Sequence, residues 1–323
     1  MEERIINLPA LPKSWDQLTG EQMSELNRLH RRCSNSEYEY LFHAFCYFLG
    51  IKLTQRIEEN EDHTLTYFFR RVNAKQKLYG EYIPLTSWQV QDFIHSTLKF
   101  LTEDCNRLVD VFPKITLKNK RFSSPGYAMA GMTYQQHQFT QRYMTEYYRI
   151  SNTLYQKSKG PIKIKEIKEL LQQREQCRCR LMATIFTPET KVTDKLVDSK
   201  QVHYDPPQTD YIFSTEQIER EAWRFRYFSE FKSEAVIQHF SGVMLHYKKI
   251  FPLLFKEGDN GNTDFIDMEQ STMNTLQSEL HFNNYQAIYD SNAPFILGKL
   301  HAIIQKAKSI EEANARLKAR SGR

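Results

Sequence analysis

The chain has few of the residues that build tight turns and phosphate-binding loops. Glycine and proline occur 11 times each among 323 residues, which is too few for a β-sandwich with many turns. The sequence contains no Walker-type or dinucleotide-binding glycine motif, no His-Glu-x-x-His zinc motif and no Gly-x-Ser-x-Gly nucleophile motif. We therefore predict no catalytic residues and no bound cofactor.

Long apolar runs and a secretory leader are also missing. No stretch reaches the roughly 18 apolar residues that cross a bilayer, and the first residues carry charges of both signs instead of an apolar segment. The 5 cysteines are odd in number and show no disulfide spacing. We expect reduced thiols, no membrane contact, and a location in the cytoplasm or in a virion.

Two pairs of candidate metal ligands lie on predicted helices. Cys177 and Cys179 are separated by a single residue, so they point to different sides of a helix. His43 and Cys46 share a helical face, but they lie in the most apolar segment of the chain and lack further ligands. The sequence therefore favours structural roles for these residues and predicts no metal site.

The chain does contain enough hydrophobic residues for a core, together with clear sequence motifs for helix starts. Hydrophobic residues make up 40% and aromatic residues 13% of the chain, which indicates a packed core. A capping box, in which Ser or Thr is followed three residues later by Gln, recurs at Thr19, Thr86, Thr133 and Ser214. The hydroxyl accepts a hydrogen bond from a backbone N–H of the first turn, and the Gln side chain returns to the N–H of the cap. Each box predicts a helix start.

The spacing of apolar residues predicts the lengths of these helices. From Val90 to Phe112 apolar residues recur at steps of three and four, so one helix is expected from Thr86 until Pro113 ends it. A second long helix is expected over 214–254, with Gly242 as a candidate kink. The remaining predicted helices span 19–32, 37–51, 133–159 and 162–185, and two or three more follow a loop at 256–264.

A change of period predicts the only substantial β-structure. Apolar and polar residues alternate over 64–72, and a second extended run ends before Pro84, which is typical of a β-hairpin. The predicted fold class is therefore mainly α with a minor β component: multi-helix bundle-like domains with one β-hairpin near 64–84 and a minor strand near 200.

Proline content and polarity predict the domain boundaries. Residues 1–18 form an extended arm, because the prolines at 9 and 12 push their neighbours out of the α region. A helical domain with the hairpin covers 19–186. A polar, proline-containing linker covers 187–212, and a C-terminal helical domain covers 213–323.

A nucleic-acid interface is one functional hypothesis. The net charge of +5 permits it without requiring it. A predicted basic loop at 114–122 contains Lys114, Lys118, Lys120, Arg121 and Phe122. At 223–228 aromatic residues alternate with arginines, and such residues can bind phosphates and stack on bases. Helical spacing favours the alternative that these aromatics belong to the core and the arginines to its rim.

Protein–protein assembly is the hypothesis with the broader support. Separately capped amphipathic helices offer surfaces to other helices. Trp15 either anchors the arm on its own chain or binds a partner, and the charged C-terminal helix has the same alternatives. We expect a non-enzymatic assembly factor with a protein partner, with Trp15 as its candidate partner-binding residue. A nucleic-acid-binding accessory protein and an enzyme with a dispersed site stay open.

Two segments resemble phage proteins. The opening Leu8-Pro-Ala-Leu-Pro-Lys-Ser-Trp-Asp-Gln-Leu-Thr-Gly-Glu-Gln22 resembles the openings of uncharacterised proteins from structural gene clusters of tailed phages and prophages. The segment Gly131-Met-Thr-Tyr-Gln-Gln-His-Gln-Phe139 is similar to the start of helical tail-assembly-chaperone-like proteins, in which Thr-x-x-Gln-Phe opens the first helix. Here Phe139 follows Gln136 at a distance of three residues. The resemblance implies a virion-assembly factor without enzymatic residues.

Overall fold

A computed structural model describes residues 9–73, 75–160, 164–189, 213–255, 274–279 and 284–321. In this part of the chain the fold is mainly helical with a minor β component, as the sequence predicts. The chain forms two compact units. Unit 1 holds the described residues up to Arg107 together with Glu230–Gly242, and unit 2 holds Leu108–Ser229 together with the described residues from Val243 onward.

This division differs from the one expected from sequence. The expected boundary is a linker at 187–212, of which 190–212 lie outside the described residues. The observed boundary falls near Arg107 instead. A second boundary falls within the helix Glu230–Ile250, whose first part, up to Gly242, belongs to unit 1 and whose second part belongs to unit 2. The expected strand near 200 and the loop at 256–264 also lie outside the described residues.

Unit 1 combines helices with an antiparallel sheet of strand order β1-β2-β3. Its elements, apart from the first half of the helix Glu230–Ile250, are α1 (Gly20–Arg32), α2 (Glu37–Leu49), β1 (Ile51–Glu59), β2 (Leu65–Val72), β3 (Leu78–Thr86) and α3 (Ser87–Thr97). The predicted hairpin is confirmed as β2 and β3. Strand β1 was not predicted, because most of its side chains are polar and exposed and give no apolar alternation.

Unit 2 contains the longer helices and a second small sheet. Its elements are β4 (Lys114–Leu117), β5 (Lys120–Ser123), α4 (Tyr134–Ser158), α5 (Ile164–Ile185), β6 (Thr187–Pro188), α6 (Thr215–Ala222), the second half of α7 (Glu230–Ile250), α8 (Tyr285–Asp290) and α9 (Ala293–Ser321). A further helical segment covers 274–279. No helix within the described residues is long and apolar enough to cross a membrane.

The predicted helix starts are confirmed at atomic detail. At Thr19, Thr86 and Thr133 the hydroxyl accepts from the backbone N–H three residues later, and the Gln side chain accepts from the cap N–H. At Ser214 the hydroxyl accepts from the N–H of Gln217. These bonds satisfy donors that the first turn of a helix cannot pair internally.

The predicted end of the helix at Phe112 is wrong. Helix α3 ends at Thr97, and a short 3-10 helix over Lys99–Thr102 follows. Arg107 is buried, with 2% of its surface exposed. Its Nη1 donates to the backbone carbonyls of Trp15 at 2.5 Å and Leu18 at 2.7 Å. The apolar stripe is buried at Val90, Ile94, Leu98 and Leu101, but its later members, Cys105, Leu108 and Phe112, are only partly buried. Arg107 ties this non-helical part of the chain to the backbone of residues 15–18.

The predicted helix over 214–254 is interrupted. Helix α6 ends at Ala222, a 3-10 helix covers Trp223–Tyr227, and α7 begins at Glu230. Arg178 of α5 is 3% exposed, and its guanidinium donates to the carbonyls of Phe228 at 2.8 Å and Phe225 at 3.2 Å. These contacts supply donors to carbonyls that a continuous helix would pair with its own N–H groups.

Gly242, the candidate kink, lies inside α7, which continues to Ile250, and the close approach of neighbouring backbone atoms explains why a glycine is needed there. A Cβ atom at this position would lie 2.7 Å from the carbonyl oxygen of Cys105 and 2.9 Å from the backbone nitrogen of Arg107. Backbone atoms cannot move aside as a flexible side chain can. Gly298 of α9 provides the contrast, because the nearest atom to its added Cβ would be a ring carbon of Phe251 at 3.6 Å.

We expect Gly242→Ala to destabilise unit 1 by about 1–3 kcal/mol, the usual cost of an overpacked core. Gly298→Ala is the matched control and should be neutral or stabilising by up to about 1 kcal/mol, because alanine favours a helix. Thermal unfolding of the purified variants measures both changes. A Gly242→Ala variant as stable as the wild type would contradict this account of the glycine.

Candidate interaction surfaces

The segment predicted as a basic loop is a β-hairpin. Leu117 of β4 pairs with Lys120 of β5, which leaves Lys118 and Asn119 as a two-residue turn. Both turn residues have positive φ, 48° and 62°, as a type I′ turn requires. Local turn chemistry therefore closes this hairpin. This hairpin was not predicted from the sequence, because its strands are short and contain lysine.

The hairpin uses part of its predicted nucleic-acid-binding set within its own fold. Lys114 lies 3.1 Å from a carboxylate oxygen of Glu189, and Lys120 lies 2.5 Å from one of Glu221. The ring of Phe122 is fully buried and contacts the ring of Phe225 at a centroid distance of 5.1 Å. The prediction that Phe122 stacks on a base is therefore wrong, because this ring belongs to the core.

Glu221 neutralises part of the positive charge of the hairpin and of the segment at 223–228. Only 5% of its side chain is exposed, and Arg224 donates to it at 2.9 Å beside the contact with Lys120. Burial alone would raise the pKa of Glu221, but the two cations hold this pKa below its ordinary value. The carboxylate thus stays ionised, and Lys120 and Arg224 are fixed beside it.

Two stretches that are far apart in sequence, the hairpin turn and residues 223–228, lie side by side in unit 2. Arg224 donates to the backbone carbonyl of Lys118 at 3.2 Å, and the Lys118 ammonium lies 3.9 Å from the ring centroid of Tyr227. The Arg224 guanidinium lies 4.6 Å from the ring of Trp223. Trp223 is 46% exposed and Tyr227 is 59% exposed. We call Lys118, Trp223, Arg224 and Tyr227 the basic aromatic surface. Arg121 is exposed on β5.

Trp15 packs on its own chain. The residue is 6% exposed, and its ring contacts that of Phe100 edge to face at 5.6 Å. Arg107 fixes its backbone carbonyl, as described above. The anchoring alternative thus describes the observed conformation, and the ring is not presented to a partner.

Cys177 and Cys179 are buried in unit 2. Burial raises the pKa of Cys177 to about 11 and that of Cys179 to about 12. Both thiols are therefore protonated at neutral pH, which disfavours metal binding and nucleophilic reactivity.

The C-terminal helix α9 carries a heptad pattern. Leu300, Ile303, Ala307, Ile310, Asn314 and Leu317 follow one another at alternating steps of three and four residues. This spacing is the a/d seam of a coiled coil, with Leu300, Ala307 and Asn314 at a positions. The N-terminal part of the seam is covered within unit 2, where Ile296 is fully buried and Leu300 is 8% exposed.

The same seam is uncovered further along the helix. Ile310 is 51% exposed and Leu317 is 62% exposed. Ala307 and Asn314 are also exposed. We call Ala307, Ile310, Asn314 and Leu317 the exposed seam. A helix that shows an apolar stripe at this spacing is suited to a helical partner.

The residues beside the exposed seam have complementary charges. Lys306 precedes the a position Ala307 and is a g residue, while Glu311 follows the d position Ile310 and is an e residue. In a parallel pair of helices, each g residue faces the e residue of the next heptad on the other helix. Two parallel copies of α9 would therefore place Lys306 of each beside Glu311 of the other. Counting heptad positions would have revealed this pattern from the sequence.

Comparison of the chain with known protein families, curated proteins and solved structures finds no match. The exposed seam and the basic aromatic surface are the two features from which a function can be inferred.

Proposed function

We propose that the chain is a non-enzymatic assembly protein that pairs with a second copy of itself through the exposed seam of α9. The exposure of Ile310 and Leu317 on a heptad seam carries this proposal. In a parallel pair these side chains and their counterparts become buried in alternating a and d layers. The packing that covers Ile296 and Leu300 within unit 2 thus continues as packing between two chains.

The chemistry of the seam favours an identical partner in parallel orientation. Lys306 and Glu311 give each helix the opposite charge that the other needs at the facing g and e positions. Asn314 occupies an a position, where an asparagine pairs with its counterpart and fixes register and a two-stranded state. An unrelated helix would have to reproduce all three features.

The pairing should be reversible. Fully burying one leucine or isoleucine contributes about 1.5–3 kcal/mol, whereas association costs about 4–15 kcal/mol in lost freedom. The exposed seam offers few such side chains, so we expect a dissociation constant that is roughly micromolar. An assembly protein with this affinity exchanges its partners. The resemblance of residues 8–22 and 131–139 to phage proteins adds virion assembly as the proposed process.

We expect Ala307→Glu to weaken pairing and Ala315→Glu to leave it unchanged. Both substitutions place the same charge on the same helix, but Ala307 lies at an a position and Ala315 at a b position away from the seam. Sedimentation equilibrium across the micromolar range measures the dissociation constant. It should rise at least about tenfold for Ala307→Glu, which corresponds to about 1.4 kcal/mol. Equal constants for both variants would contradict the proposal.

Charge reversal tests the orientation. Lys306→Glu and Glu311→Lys should each weaken pairing, because each places like charges across the parallel interface. The double variant restores opposite charges and should recover the affinity. Pairing that responds to neither single reversal would overturn the parallel arrangement.

A second candidate function is binding of single-stranded nucleic acid at the basic aromatic surface. The juxtaposition of Lys118 with Tyr227 and of Arg224 with Trp223 favours it. Exposed aromatic faces stack on unpaired bases, and neighbouring cations contact the phosphates. The ion pairs of Lys114, Lys120 and Arg224 reduce the charge available, so this surface would bind weakly and be sensitive to salt.

Trp223→Ala should weaken binding of a labelled single-stranded oligonucleotide at low salt by about 1–3 kcal/mol, the usual contribution of one stacked base. Trp88→Ala is the matched control, since Trp88 is 69% exposed but belongs to unit 1. Fluorescence anisotropy measures both. Absence of binding at low salt, or equal losses in the two variants, would remove this candidate.

A further inference from the structure

Three chemically distinct metal-binding side chains converge in unit 1. The Sγ of Cys33, a carboxylate oxygen of Glu39 and a ring nitrogen of His43 all lie within 4.8 Å of one another. The His43 Nε2 is 3.7 Å from the Glu39 carboxylate. Cys33 is 4% exposed, whereas the Glu39 and His43 side chains are 55% and 34% exposed. The cluster is thus closed on the thiol side and open towards solvent.

Local structure sets this convergence. Cys33 is the C-cap of α1, with its N–H donating to the carbonyl of Leu29 at 2.9 Å. Ser36 caps α2, and its hydroxyl accepts from the N–H of Glu39 at 3.1 Å. Glu39 and His43 then lie one turn apart on the same face of α2. The short connection between the two capped helices therefore holds the three donors together in the folded chain.

We propose that Cys33, Glu39 and His43 bind one zinc ion. One sulfur, one nitrogen and one oxygen donor match the ligands that Zn²⁺ takes in proteins, and the thiolate disfavours Mg²⁺ and Ca²⁺. With three protein ligands the tetrahedral ion keeps its fourth position for water or an exogenous ligand. Donor atoms at about 2.0–2.3 Å from a tetrahedral zinc lie roughly 3.3–3.8 Å apart, so the three donors, already within 4.8 Å of one another, have to close by at most about 1.5 Å.

Zinc must displace a proton from the Cys33 thiol. Desolvation, together with the Glu39 carboxylate, raises the pKa of the Cys33 thiol above its ordinary value. The thiol is therefore protonated in the free protein, and zinc binding releases this proton. In the sequence, Cys46 is the thiol that shares a helical face with His43. Cys46 is buried, and burial raises its pKa to about 12; the converging thiol comes from the preceding helix.

Cobalt(II) is the probe that distinguishes this site from non-specific binding. Titration of the purified full-length chain with Co²⁺ should produce a thiolate-to-cobalt charge-transfer band that saturates at one equivalent and disappears when Zn²⁺ is added. Cys33→Ser should abolish the band. His43→Ala should lower the affinity at least about tenfold, since even outer-sphere partners of metal ligands cost that much.

Two variants on the same helix act as controls. Cys46→Ser removes the thiol of α2, and Glu37→Gln removes a carboxylate that is not part of the cluster; both variants should keep the band. A wild-type chain without the band, or a band that survives Cys33→Ser, would overturn the proposal. The Ala307→Glu variant should bind cobalt normally, so failure of chain pairing and failure of metal binding are distinguishable.

Discussion

The structure depends on supplying hydrogen-bond donors to buried backbone carbonyls outside its α-helices. A buried carbonyl without a donor costs several tenths to a few kcal/mol, and two buried arginines supply donors here. Arg107 serves the carbonyls of Trp15 and Leu18 in unit 1. Arg178 serves those of Phe225 and Phe228 in unit 2, and its charge is paired with Glu175 at 2.6 Å. Each guanidinium is tolerated in the interior because it is hydrogen-bonded.

This constraint also shapes the basic aromatic surface. Because Arg178 holds the segment Trp223–Tyr227 out of a continuous α-helix, the rings of Phe225 and Phe228 enter the core while Trp223 and Tyr227 remain exposed. The residues of this alternating aromatic and arginine segment therefore have two structural roles. Part of it belongs to the core, as the helical spacing indicates, and part of it forms a surface with the hairpin at Lys118.

Features that depend on neighbouring residues, such as helix starts, could be predicted from the sequence. Features that depend on contacts between residues distant in sequence could not. Helix starts at Thr19, Thr86 and Thr133 need only the cap and the Gln three residues later, so they were predicted correctly. After the end at Ala222, the carbonyls of Phe225 and Phe228 receive donors from Arg178, which is remote in sequence, and no local sequence signal marks the end at Thr97. The zinc ligands lie on two helices, and no motif relates Cys33 to His43. The heptad of α9 is local and was predictable, but its exposure was not.

The exposed seam is the part of the fold that the proposed function requires. Ile296 and Leu300 are covered within unit 2, whereas Ile310 and Leu317 of the same stripe are open to a partner. The most direct measurement is oxidative crosslinking of Asn314→Cys, with Ala315→Cys as the control. In a parallel pair, identical a positions lie within disulfide distance, about 6 Å between Cα atoms, and b positions do not. The account predicts covalent dimers for Asn314→Cys alone; equal crosslinking of both variants, or of neither, would contradict it.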